Sequence, residues 1–241
     1  MNQATNTGSP NYRTLYRLGG VAALIVVGVT LAEVVGFSLH PQPSTVGDWF
    51  ALLQESPLTG LLGFWGLEVP MYAMFTVTFV ALYAKLKETN PSLMAIALAL
   101  ALLGIGVFFA TNNPFSMLSL SRQYATATTD AQRAALLAAG QAVLANTGQR
   151  AVGGFNTGLF LLSVAGLMVS WVMRRSAAFG QAAGRVGLVT YGLSLADYVR
   201  QAVTSSEVIA LLVILPNVLF LAIWYVMVSR RLYKLGRPSQ S

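Results

Sequence analysis

Apolar residues run along this chain in six blocks, separated by short polar or basic stretches. The blocks cover residues 18–39, 60–83, 93–111, 152–173, 186–203 and 208–228. Each reaches or approaches the roughly 20 residues that carry a helix across a bilayer. Backbone groups in lipid must find partners within their own segment, so the blocks are expected as helices and not as an open sheet. The pattern predicts an all-α, polytopic membrane helix bundle with six transmembrane helices. The first block follows Arg13 and Arg17 as a signal peptide would. Its apolar run is too long for one, and no small-residue cleavage site stands at Leu39-His40-Pro41, so a retained helix is expected.

The segments between the blocks carry structure of their own. Residues 1–12 are polar and are expected as a frayed tail, and 235–241 as a second one, leaving 13–234 as a single transmembrane domain. Within 46–54, Trp49, Phe50, Leu52 and Leu53 stand with Asp48 and Gln54 as in a short interfacial helix, bracketed by Pro41, Pro43 and Pro57. The turn at 85–91 is short, so the second and third helices should be antiparallel neighbours. The long connection is 112–150. There, Thr129 reads as a helix N-cap with Gln132 at the capping-box position, ahead of an Ala/Leu-rich run. Upstream, Phe115, Leu118 and Tyr124 mark the apolar side of another short helix. A short helical cap on the outer side of the bundle is expected.

Composition and charge narrow the function classes. The chain is 55% hydrophobic and 10% charged, against about 25% charged in soluble domains. Its net charge of +7 is distributed by side. With a cytoplasmic N-terminus, eleven Lys and Arg residues fall on the cytoplasmic side: Arg13, Arg17, Lys85, Lys87, Arg174, Arg175, Arg185, Arg230, Arg231, Lys234 and Arg237. Only Arg122, Arg133, Arg150 and Arg200 fall outside or in the outer half. This positive-inside bias places the protein in the cell membrane with both termini cytoplasmic. The basic C-terminal run reads as an anchor on anionic lipid, not as a nucleic-acid site. The absence of cysteine excludes disulfides and thiolate chemistry. Histidine occurs once, at His40, which removes a His-ligated zinc site and a Ser-His-Asp triad. No phosphate-binding Gly-Lys-[Ser/Thr] loop is present. Neither a cofactor nor a metal centre is expected.

Chemistry is confined to polar side chains inside the apolar blocks. Glu33, Glu68 and Asp197 are intramembrane acids, with Arg200 three residues beyond the last. Charge in hydrocarbon is costly, so such residues face a bundle interior or a wet cavity. Glu33 lies sixteen residues beyond Arg17 and Glu68 seventeen before Lys85. At helical rise these are ~24 and ~26 Å, in the outer half of a core about 30 Å thick. Asn156, Asp197, Arg200 and Asn217 fall in the same slab, and Asn112 and Asn113 close the third helix there. Tyr72 and Thr76 continue the Glu68 stripe, and Thr190, Ser194, Asp197 and Gln201 form another. Pro70 is expected to kink the second helix near Glu68 and free a carbonyl, and Pro216 to do likewise beside Asn217. A hard-cation site of carboxylates and Asn oxygens is chemically feasible. Asp197 and Arg200 are also placed to pair on their own helix. Gly153, Gly154, Gly158 and Gly166 have helix-packing spacing. An echo between 28–35 and 192–199, each ahead of a return helix with a proline (Pro70, Pro216), hints at a duplicated hairpin.

Three motifs carry a resemblance: Pro57-Leu-Thr-Gly-Leu-Leu-Gly63; Tyr83 with Asn90-x-Ser92-Leu-Met-Ala-Ile-Ala97; and Asn113-Pro-Phe-Ser-Met-Leu-Ser-Leu-Ser121 followed by Tyr124-Ala125. With them the chain resembles an uncharacterised family of bacterial and archaeal six-helix membrane proteins, a domain of unknown function. The resemblance implies no activity, but it makes the segment from Asn113 to Tyr124 a family feature.

Two functional readings follow. In one, Glu33, Glu68, Tyr72, Asn112, Asn113, Asn156, Ser194, Asp197, Arg200 and Asn217 line an outward-facing pocket for a small polar or cationic ligand, for transport or sensing. In the other, the polar layer is helix-packing glue in a structural or accessory subunit whose cap docks a membrane protein partner or a second copy. An intramembrane enzyme using the carboxylates as acid and base has the least support. The inner halves of the helices offer few polar groups, which counts against a simple channel.

Overall fold

The computed structural model describes residues 12–39, 42–147, 156–204 and 206–237. The first eleven residues, His40, Pro41, Arg150, Gly153, Gly154 and the last four residues lie outside the described part, as do the expectations attached to them. All regular structure among the described residues is helical: α1 (Arg13–Leu39), α2 (Val46–Glu55), α3 (Pro57–Leu61), α4 (Glu68–Leu86), α5 (Pro91–Thr111), α6 (Pro114–Thr126), α7 (Asp130–Asn146), α8 (Thr157–Met173), α9 (Gly180–Val203) and α10 (Glu207–Leu235).

Six of these form a closed ring in which each helix packs on the next, in the order α1, α4, α5, α8, α9, α10 and back to α1. The apolar faces of α4, α5 and α8 fill its centre, where Phe79, Leu82, Phe108 and Val169 are buried. Where α5 and α8 cross, the Gly104 and Gly158 backbones meet, and a Cβ on either would fall 2.6 Å from the other's carbonyl oxygen. Gly166 likewise leaves room for the Tyr191 ring, so the expected packing role of Gly158 and Gly166 holds.

Among the described residues, four stretches are long and apolar enough to cross a membrane: Arg13–Gly36, Pro57–Leu86, Pro91–Thr126 and Val208–Leu235, with Thr157–Met173 a shorter apolar helix. Helix α9 has the length but not the apolarity, because Thr190, Tyr191 and Asp197 form a polar face turned into the bundle. The protein is an all-α, multi-pass membrane protein.

The start of α1 and the end of α10 meet at one end of the ring, where the Arg17 guanidinium donates to the Gly236 carbonyl at 2.8 Å and Lys87 donates to the Tyr12 hydroxyl at 3.2 Å. At the opposite end α2, α6 and α7 build a second hydrophobic core from Val46, Trp49, Phe50, Met117, Leu118 and Leu144. The predicted short helices are present, and the Thr129–Gln132 capping box closes in both directions. Phe115 departs from expectation: it is 63% exposed, while Met117, Leu118 and Ser121 supply the inward face. The helix begins at Pro114, which sets Phe115 one position off the buried stripe.

The second apolar block also departs from expectation. It is not one helix but is broken at Phe64 (φ −101°, ψ 71°) and Trp65 (φ 63°, ψ 9°). Trp65 is the one described residue other than glycine with positive φ, a conformation that costs a non-glycine residue roughly 1–2 kcal/mol. Gly66 follows because a Cβ there would collide with the Leu61 carbonyl. Pro70 is therefore not the kink. It sits in the first turn of α4, where its missing N–H would have had no helical partner.

Candidate functional site

The break sets Glu68 at the first position of α4, where the residue is 7% exposed. One turn deeper, the Thr30 hydroxyl of α1 reaches the Met71 sulfur of α4 at 3.8 Å. Because α1 and α4 run antiparallel, the next turn toward the cap brings Glu33 opposite Glu68. The two carboxyls lie within electrostatic range of each other and of Tyr72. Glu33 Oε1 and Glu68 Oε2 are both shielded from solvent and have no hydrogen-bond partner. Buried polar atoms are paired in the great majority of cases, so two orphans on facing carboxyls require an explanation.

Beside them is a cleft of about 500 Å³ between the cap-side third of α1 and the α2–α3 segment. Glu33 and Gly36 line one wall; Trp49, Leu52, Leu62 and Leu67 line the other. Such a volume falls in the roughly 300–1,000 Å³ range of small-molecule sites. Two further polar side chains on the lining are engaged: Gln42 donates to the Gly63 carbonyl at 2.9 Å, and Thr59 accepts from the Ser56 hydroxyl at 2.8 Å. Glu33 is the lining residue with an unsatisfied buried oxygen.

Seven of the other eight predicted residues are placed elsewhere and are engaged. Asp197, 5% exposed, accepts from Arg200 Nε at 2.7 Å and from Gln201 Nε2 at 2.9 Å. Asn217 on α10 donates to Ser194 Oγ on α9 at 3.0 Å. Asn112 donates to the Thr147 carbonyl at 3.1 Å, fastening the end of α5 to the end of α7. Asn113 caps α6 through the Phe115 amide, and Asn156 caps α8 through the Leu159 amide. The Asn156 carbonyl also accepts from the Tyr198 hydroxyl at 3.0 Å. Tyr72 is buried one turn below Glu68, its ring stacked on Phe108 with centroids 3.5 Å apart.

The ten candidates thus divide. Glu33 and Glu68, with Tyr72 beneath, form one group at the α1–α4 seam next to the cleft. Asp197, Arg200, Ser194 and Asn217 join α9 to itself and to α10, and the three remaining asparagines hold helix ends. Sequence reading missed Trp65 and the break. The signal that could have found it is Gly63-Phe-Trp-Gly66 inside an apolar run, with Pro70 four residues on. Glycines at that spacing within a helix pattern mark an interruption.

Taken together, a ring of mostly apolar helices with a helical cap at one end and an acidic seam beneath it defines a multi-pass integral membrane protein. The chain matches the family model described as DUF4386, a domain of unknown function, over residues 18–228. It belongs to that family. No curated protein and no solved structure matches it.

Proposed function

We propose that the protein crosses the cell membrane six times, both termini cytoplasmic, and binds a small polar or cationic ligand in the acidic cleft at its outer end, for transport or sensing. The orientation rests on the basic residues gathered at the end of the ring where α1 starts and α10 ends. The observation that carries the ligand reading is the pair of unpartnered carboxyl oxygens on Glu33 and Glu68 beside an open cleft. Folding alone would select against buried oxygens with no partner, and a bound cation supplies one.

A thermal-shift screen of wild type and Glu68→Gln against cations and small metabolites tests it. Stabilisation of the wild type by a cation, reduced in Glu68→Gln, is expected. If no cation stabilises either protein, the second reading takes precedence. That reading, a structural or accessory subunit docking a membrane protein partner or a second copy through its cap, draws support from the paired Asp197–Arg200 and Asn217–Ser194 contacts, which behave as interhelical glue.

A further inference from the structure

Resting on the cleft as a ligand pocket, a narrower assignment follows from its walls. A bare divalent ion takes six or more oxygens at close range, and the cleft presents mostly carbon: Leu39, Leu52, Leu62, Leu67 and the Trp49 ring against the Glu33 carboxyl. Its volume of about 500 Å³ also far exceeds the ~30 Å³ that one water occupies. Charge at one point and hydrocarbon elsewhere match a ligand built the same way. On α1, Val35 and Leu39 are exposed, so an alkyl chain seated in the cleft has apolar side chains to follow out of it.

We infer that the cleft takes an ammonium-bearing amphiphile, with the cationic head at Glu33, Glu68 behind it, and the apolar stem along Leu39, Leu52 and Leu62. This chemistry has two sources, a free alkylamine and the headgroup of an aminophospholipid. Either one supplies the missing counter-charge at Glu33 without requiring any other polar contact from the walls.

Gly36 provides a clean perturbation, because a Cβ built on it meets nothing within 4 Å. Gly36→Leu therefore adds hydrocarbon to that wall of the cleft, starting from a Cβ with open space around it. Titrate octyltrimethylammonium and, separately, octanol into the full chain in phosphatidylglycerol nanodiscs and measure binding calorimetrically. The expected result is at least tenfold tighter binding of the ammonium than of the alcohol. Glu33→Gln should remove that preference while octanol binds as before, which separates site binding from attraction to the anionic lipid surface. Gly36→Leu should weaken both ligands more than tenfold. Repeating the titration in nanodiscs containing phosphatidylethanolamine assigns the source: competition points to the lipid headgroup, and unchanged affinity to a free amine. Equal binding of alcohol and ammonium overturns the ammonium assignment but leaves the pocket. No binding of either to the wild type overturns the pocket itself.

Discussion

Replacing Glu68 by methionine should make the protein more stable. The residue is 7% exposed and its Oε2 has no partner. A buried polar atom left unpaired costs about 1–3 kcal/mol, more when charged. Methionine has similar length and removes that cost while keeping the buried volume. Acting the other way, an acid at the first position of α4 gains about 0.3–1 kcal/mol from the helix N-terminus, which methionine forfeits. The net expectation is a gain of roughly 0.5–2 kcal/mol. At about 2–4 °C per kcal/mol for a chain of this size, the midpoint should rise by roughly 1–8 °C.

The assay is thermal unfolding in detergent micelles followed by tryptophan fluorescence, with Asp197→Ala as the internal reference. Asp197 holds Arg200 and Gln201, so its loss strands a buried guanidinium and should lower stability by about 3–5 kcal/mol. Opposite signs for two buried acids at the same end of the bundle are what a site acid and a structural acid should give. If Glu68→Met instead falls alongside Asp197→Ala, Glu68 is holding helices together and the argument for a ligand site fails.

Four further outcomes are expected. Arg200→Ala should cost about as much as Asp197→Ala, and the double replacement by leucine should recover more than half of the loss, read as a coupling above about 1 kcal/mol in a double-mutant cycle. Trp65→Gly should be more stable than Trp65→Ala by roughly 1 kcal/mol, the reverse of the order inside a regular helix, because φ is 63° there; equal midpoints would refute the break. Gly158→Val should lower stability by about 1–3 kcal/mol or more, since its Cβ falls 2.6 Å from the Gly104 oxygen. Thr129→Ala should lose about 1 kcal/mol of local stability in the cap, seen as faster amide exchange at the start of α7 with the bundle unchanged.

What was legible in the sequence was whatever a local pattern dictates. Thr129 and Gln132 cap α7 because both partners lie within one turn, and Asp197 finds Arg200 because three residues bring them to one helix face. The amphipathic run at Trp49, Phe50 and Leu53 folds as α2 and buries those residues. Separation along each helix axis was also readable, since rise per residue is constant. Rotation was not. The angle at which a helix presents its side chains is set by its neighbours, so beyond the Asp197–Arg200 pair the polar groups of that layer gave no means of telling paired from unpaired. Asn112 and Asn156 are spent on helix ends, and Ser194 on Asn217. Pro70 misled for a related reason: its effect depends on its distance from the helix start, which the break at Trp65 moved to Glu68.

The departures from local rule are not spread evenly, and their clustering is itself an argument. Of the four shielded side-chain atoms without partners among the described residues, three belong to Glu33, Trp65 and Glu68; the fourth is the Trp224 indole, in the bundle core. The left-handed Trp65 backbone lies three residues from Glu68, and the open cleft runs from Glu33 to Leu67. A continuous helix through 64–65 would carry the α3 segment on along the axis of α4. The turn at Trp65 redirects it, and the cleft lies between that segment and α1. Strain, stranded polar atoms and empty volume each lower stability alone, and they persist together where something other than folding selects for them. Among the described residues the three coincide at the seam between α1 and α4, which is why the proposed ligand site is put there.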